Sequence, residues 1–202
     1  MGHLTREFYQ NENVLEVAGS LIGKILVTEF EGVTTSGIIV ETEAYRGEDD
    51  RACHAFPLKK TDRTKTMFLE GGHAYIYLCY GLHHLFNVVT SAEGVPNAIL
   101  IRALEPTSGV DEMLKRRKLS NFSTRISSGP ACLSQALGIT KAWNAHALSQ
   151  GKNIWIEEAP IPKEYEIAAT TRVGVDYAGD DALLPWRFYI SGNKWVSAYP
   201  KS

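Results

Sequence analysis

Cysteine is scarce in this chain: three thiols in 202 residues, at Cys53, Cys79 and Cys132. An odd, widely spaced set with no Cys-x-x-Cys supplies neither a disulfide framework nor a clustered zinc site. Reduced thiols in a cytosolic or nuclear compartment fit that usage. No window holds the ~18 apolar residues that a membrane span needs. The opening residues, Met1-Gly2-His3-Leu4-Thr5-Arg6-Glu7, lack the apolar stretch of a secretory signal, so none is expected. Arg6 stands where a myristoylation motif wants Ser or Thr. Internal repeats, low-complexity tracts and a Pro/Gly/Ser-rich linker are also missing. The expectation is one domain spanning residues 1–202.

A strong overall charge is missing too. Twenty-one Lys+Arg against 23 Asp+Glu gives a net charge of −2, which taken alone argues against a nucleic-acid partner. The balance conceals blocks. Residues 41–50 carry a net −4, residues 51–66 a net +4, residues 113–125 a net +5 and residues 153–185 a net −5. A neutral protein can still present a basic face. The two basic blocks are therefore candidate phosphate contacts.

What is present reads as mixed structure. Residues 13–22 predict a helix capped by Asn13, with Glu16 three positions on and Gly23 as its stop. Residues 24–30 and 37–45 predict strands around a Glu31-Gly32 turn, and 73–79 with 84–90 a second pair joined by Tyr80-Gly81-Leu82-His83. Residues 98–103 add an apolar strand. Helices are expected at 109–119, ending in four cations, and from Ser128-Gly129-Pro130 to Gly138. Further strands are expected at 153–157, 166–173 and 187–191, and near Trp195-Val196. The elements do not alternate as βαβ units, so the fold class is α+β.

One strand carries the chemistry. In Glu41-Thr42-Glu43-Ala44-Tyr45, period-two alternation puts Glu41, Glu43 and Tyr45 on one face. Two carboxylates on one face repel, so at least one needs a partner or a task. His54 follows within ten residues of Tyr45. Tyr75, Tyr77 and Tyr80 crowd six positions, while Asn87 and Arg102 interrupt apolar runs. A carboxylate can activate water, flat aromatic faces can sandwich a base, and a tyrosine on a tight turn can wedge into a base stack. Enzymes that act on a base buried in a duplex need this toolkit.

From about Glu16 to Ser197 the chain resembles the alkyladenine (3-methyladenine, or methylpurine) DNA glycosylase family. The resemblance rests on Val40-Glu41-Thr42-Glu43-Ala44-Tyr45, His54, Tyr77-x-x-Tyr80-Gly81, Asn87 and Arg102-Ala103-Leu104-Glu105-Pro106. It continues through Ser128-Gly129-Pro130, Arg172-Val173-Gly174-Val175, Arg187-Phe188-Tyr189 and Trp195-Val196-Ser197. It implies a single-domain α+β fold with a curved antiparallel sheet and a protruding β-hairpin. It implies Glu43 as the base that activates water, with Arg102 and the backbone carbonyl of Val173 holding that water. Tyr45, His54 and Tyr77 become the walls of a base pocket, Asn87 a floor residue that disfavours the 2-amino group of guanine, and Tyr80 the residue that intercalates. No metal or other cofactor is implied. The implied partner is double-stranded DNA containing damaged purines, met by a monomer in a bacterial cytoplasm at the nucleoid, or in a nucleus if the source is eukaryotic. Residues 55–60 match the family poorly, and His83 and His84 fall outside its pattern.

Two other readings compete. One is a metal-dependent hydrolase built from Glu41, Glu43, Asp49 and His54, which lacks a second histidine placed with them. The other is a module that binds distorted nucleic acid without catalysis, which would need no carboxylate in the pocket.

Overall fold

The computed structural model describes residues 2–162 and 165–197. Lys163 and Glu164 of the acidic block lie outside them. In chain order the elements are α1 (Arg6–Tyr9), α2 (Val14–Ser20), β1 (Ile25–Phe30), β2 (Val33–Arg46), β3 (Ala74–Cys79), β4 (His83–Thr90) and β5 (Asn97–Ser108). Then follow α3 (Val110–Arg117), α4 (Pro130–Ala136), β6 (Ile154–Glu157), β7 (Ile167–Thr170) and β8 (Arg187–Ile190). Helix α2 starts as the sequence predicts: the Asn13 side chain accepts from the Glu16 N–H at 3.3 Å. Pro130 sits in the first turn of α4, where a missing N–H costs nothing.

One antiparallel sheet holds all the strands, in the order β3-β4-β5-β2-β1-β6, with β8 on β2 and β7 on β8. Strand β2 is its spine. Its first half pairs with β1, its middle with β8, and nearly its whole length with β5. It begins four residues before the predicted start, because the largely polar Val33-Thr34-Thr35-Ser36 still find ladder partners on β1. Register shifts interrupt the β2–β5 ladder at Ile39/Glu41 and Glu41/Thr42. Bulges of this kind bend a sheet and re-aim side chains. Here they lie beside Glu41 and Arg102.

The main core lies against α2 and α4, around Leu26, Phe86, Ile101 and Leu133. Thr42 and Ala44 serve that side: Ala44 is in the core and the Thr42 hydroxyl donates to the Ala18 carbonyl of α2 at 3.0 Å. Glu41, Glu43 and Tyr45, displaced by one residue, take the other face. A smaller apolar cluster, with Cys53, Met67, Phe68 and Tyr75, supports that face from below. The β3–β4 hairpin projects from the sheet edge. Both Tyr80 (φ 50°) and Gly81 (φ 70°) at its tip are left-handed. Glycine takes that conformation freely, whereas a tyrosine there is strained by roughly 1–2 kcal/mol.

Three expectations need correction. Trp195-Val196 is turn, with Trp195 buried in the core rather than paired in a ladder. Strand β7 ends at Thr170, not at residue 173, because Arg172 and Val173 leave the sheet for partners on the β2 side. The basic block 113–125 is partly spent on the fold. The Arg116 guanidinium donates to Glu112 at 3.0 Å and to the Ala136 carbonyl at 3.2 Å. Arg117 donates to the Arg125 carbonyl at 3.0 Å. These bonds tie α3 to α4 and to the segment before it. Lys59 and Lys60 of the other block are exposed.

Candidate active site

The β2 face opens into a cavity of about 540 Å³, bordered by Tyr45, His54, Tyr77, Asn87, Arg102 and Val173. The sequence named all six. Glu43 lies just beneath, fully buried, and reaches out only through other residues' hydrogen bonds. Its Oε1 accepts from the Val173 N–H at 2.7 Å. Its Oε2 accepts from the Tyr45 hydroxyl at 2.8 Å and from Arg102 Nη1 at 3.1 Å. An ionised carboxylate offers about four acceptor positions. Three of them are filled here, by donors that all line the cavity. Val173 thus meets Glu43 through its amide, where the expectation concerned its carbonyl.

Burial alone would raise the Glu41 carboxyl, but Arg102, the Ser197 amide and Arg187 outweigh it and hold Glu41 below the ordinary carboxylate range. Its Oε1 accepts from Arg102 Nε at 2.8 Å and Arg187 Nε at 2.7 Å, and its Oε2 from the Ser197 N–H at 2.7 Å. Arg102 therefore bridges the two glutamates. Burial works against its charge, yet Glu43 and Glu41 keep the guanidinium more firmly protonated than usual. Two buried carboxylates face two buried guanidinium groups, and neither glutamate is left uncompensated.

A second buried pair backs the wall. Arg172 donates to both oxygens of Asp50, at 2.5 and 2.8 Å, and to the Ala44 carbonyl at 3.0 Å. Its guanidinium lies 4.8 Å from the Tyr45 ring centre and 5.1 Å from that of Trp186. Burial first, and then Glu43, push the Tyr45 phenol far above its usual value, so it stays a neutral donor.

On the opposite wall, His54 meets Tyr77 edge-on at 4.6 Å between ring centres. Arg63 Nη2 lies 2.9 Å from His54 Nε2, and the Tyr75 hydroxyl lies 3.0 Å from Nδ1. A guanidinium only donates, so Nε2 is the acceptor and the proton resides on Nδ1. Burial, assisted by Arg63, lowers His54 to about 4. It is neutral at physiological pH. Arg63 also lies 5.1 Å over the Tyr77 ring. The buried Asn87 spends its Nδ2 on the Tyr75 carbonyl at 3.0 Å and the Leu85 carbonyl at 3.4 Å, which sets its orientation. Tyr80 stands at the rim with 92% of its surface exposed.

The proposed metal set is dispersed. Glu41 and Glu43 take arginines, Asp49 pairs with Arg46 at 2.5 Å, and His54 takes Arg63. Among the described residues no group of three His, Cys, Asp or Glu could hold a metal ion.

A model of the methylpurine-DNA glycosylase family matches residues 7–194. The chain belongs to that family. This glycosylase is 46% identical to a Chlamydia felis protein over 95% of this chain and 97% of the other. Its identity to a Bacillus cereus protein is 44%, over 94% and 96% of the two chains. To one from Clostridium acetobutylicum it is 43%, over 98% of each. All three are named as 3-methyladenine DNA glycosylases. A member of the family is a DNA-repair enzyme, a hydrolase of N-glycosyl bonds acting on DNA. No helix among the glycosylase's described residues is long and apolar enough to cross a membrane.

Sequence reasoning did not find Arg63, Asp50 and Arg187 as members of this site. Asp50 and Arg172 stand 122 positions apart, and nothing local links them. The one available signal was the demand of two adjacent glutamates for positive partners.

Proposed function

We propose that residues 1–202 form a single, monomeric glycosylase domain that flips damaged purines out of duplex DNA and hydrolyses their N-glycosidic bonds. The lesions are 3-methyladenine, hypoxanthine and related alkylated or deaminated bases, and the setting is a bacterial cytoplasm at the nucleoid. The observation that carries this reading is a buried carboxylate whose three donors, Tyr45, Arg102 and Val173, all line an aromatic-walled cavity.

Glu43 takes a proton from water, whose oxygen attacks C1′ while the base departs with the bonding electron pair. The sugar passes through an oxocarbenium-like state, which the negative charge of Glu43 favours. Arg102 and the Val173 carbonyl hold the water, and the Val173 amide orients Glu43. Tyr45, Tyr77 and His54 enclose the base, and Asn87 crowds a 2-amino group. Tyr80 fills the gap in the helix; its exposure and strained backbone suit a wedge. His54 lowered to about 4 and Tyr75 raised to about 12 are both poor proton donors at neutral pH, which favours lesions whose ring already carries positive charge. No lysine is used as a nucleophile, so the product is an intact strand with an abasic site, and no cofactor takes part.

The test is single-turnover release of base from duplexes carrying hypoxanthine or 3-methyladenine, with enzyme and chelator in excess. Free base and an alkali-labile, otherwise unbroken strand are expected. No release from either duplex would overturn the reading, and so would release that the chelator abolishes.

A further inference from the structure

A second tyrosine stands at the cavity mouth, on a segment far in sequence from the hairpin. Tyr177 lines the cavity, yet 70% of its surface is exposed. Exposure here does not mean freedom. Its hydroxyl donates to the Ala52 carbonyl at 3.1 Å. Val175 and Ala178 on either side of it are buried in a small cluster with Ala52. Both ends of the residue are therefore fixed, and the ring is held outward with its rotamer entropy already spent. The phenol is raised by burial and then by Asp50, so it stays uncharged.

An exposed, preorganised aromatic ring at the edge of a base pocket is a stacking platform. Its surroundings say which part of a nucleotide it can meet. Asp176 and Asp180, on the same turn, are exposed carboxylates that repel phosphates. Arg51, also exposed, brings its guanidinium against Gly179 of that turn, while Lys59 and Lys60 lie further along the other loop. The ring itself, flat and uncharged, suits the uncharged flat parts of a nucleotide.

Resting on the reading above, we propose that Tyr177 clamps the extruded nucleotide at the cavity mouth and slows its return to the helix. Tyr80 would then act on the vacated stack, and Tyr177 on the nucleotide that left it. The two tyrosines therefore separate in a measurement that reads extrusion apart from general DNA binding.

The experiment compares wild type, Tyr177→Ala and Tyr177→Phe as full chains. Each is mixed with a hypoxanthine duplex carrying 2-aminopurine beside the lesion, and with the undamaged duplex. Tyr177→Ala should melt within a few degrees of wild type, since it removes a mostly exposed ring and one hydrogen bond to Ala52. It should bind undamaged duplex normally, while the extruded population falls about fivefold or more, as loss of one base–aromatic stack requires. Tyr177→Phe keeps the ring without its anchor and should fall between the two. An unchanged extruded population in Tyr177→Ala would overturn the proposal, as would an equal loss of affinity for undamaged duplex. Failure of wild type to extrude or release the lesion would instead remove the reading on which the proposal rests.

Discussion

Replacing Glu43 by glutamine exposes the logic of the site, because the exchange keeps shape and alters hydrogen-bond polarity. Glu43 accepts from three donors: the Val173 N–H, the Tyr45 hydroxyl and Arg102. A glutamine has one acceptor oxygen and one NH₂. If the NH₂ faces Val173, two donors confront each other. If it faces the other side, Tyr45 can rotate its hydroxyl to accept, but Arg102 cannot. Either orientation strands one buried N–H, at a cost of about 1–3 kcal/mol. The buried group of two glutamates with Arg102 and Arg187 also gains one uncompensated positive charge. Against a total stability of roughly 5–15 kcal/mol this is large but tolerable. The urea midpoint should fall by on the order of 1 M. Excision should fall further than stability suggests, by about 10²–10⁴-fold for loss of a general base. Affinity for a hypoxanthine duplex should hold, because Tyr80 and the exposed cations do not depend on Glu43. Urea titration, a binding isotherm and single-turnover excision measure the three effects. Near-wild-type excision would refute Glu43 as the base, and an unmoved midpoint would refute the hydrogen-bond accounting.

Glu41→Gln should be strongly destabilising: removing one partner of a buried pair costs about 3–5 kcal/mol, so its urea midpoint should fall strongly at neutral pH. Because the folded Glu41 carboxyl is held below its ordinary value of 4.5, its contribution is present above that pH and lost as pH falls through the folded value. The gap between wild type and variant should therefore close below about pH 4.5, and a gap that stays constant would contradict the pairing. Asn87→Ala removes a buried side chain from the cavity floor and should raise excision of guanine-type bases relative to hypoxanthine; an unchanged ratio would take Asn87 out of selectivity. Reversing Lys59 and Lys60 to Glu should weaken binding to all duplexes and flatten its salt dependence, measured by affinity at two ionic strengths, whereas Arg116 and Arg117 are unsuited to that test because they brace α3 against α4.

Legibility in the sequence followed the range of the forces involved. Alternation along β2 placed Glu43 and Tyr45 on one face without reference to any other part of the chain. Gly81 announced its turn because glycine takes the left-handed conformation freely, while Tyr80 beside it is held there at a cost. The Asn13–Glu16 cap was equally local. Arg172 was different. Its neighbours suggested a continuing strand, and distant partners, the Asp50 carboxylate for Arg172 and Glu43 for the Val173 amide, explain why the chain turns away after Thr170. Trp195 was misread for the same reason, since an apolar residue in a turn looks like a strand residue until the core that takes it is known. Arg63 lies nine positions from His54, but the irregular loop between them has no period from which contact could be inferred.

Strand β2 presents Thr42 and Ala44 to the main core and Glu43 and Tyr45 to the cavity. A slip of one residue would exchange the two sets. It would drive the Glu43 carboxylate into the apolar interior and leave a threonine and an alanine facing the cavity. A misthreaded molecule would thus be both unstable and inert. Such a species has no route to lingering on DNA as a folded but faulty enzyme, cutting the wrong bases or shielding the right ones. For a protein whose errors would be written into a genome, quality control of this kind is inherited from pleat geometry alone.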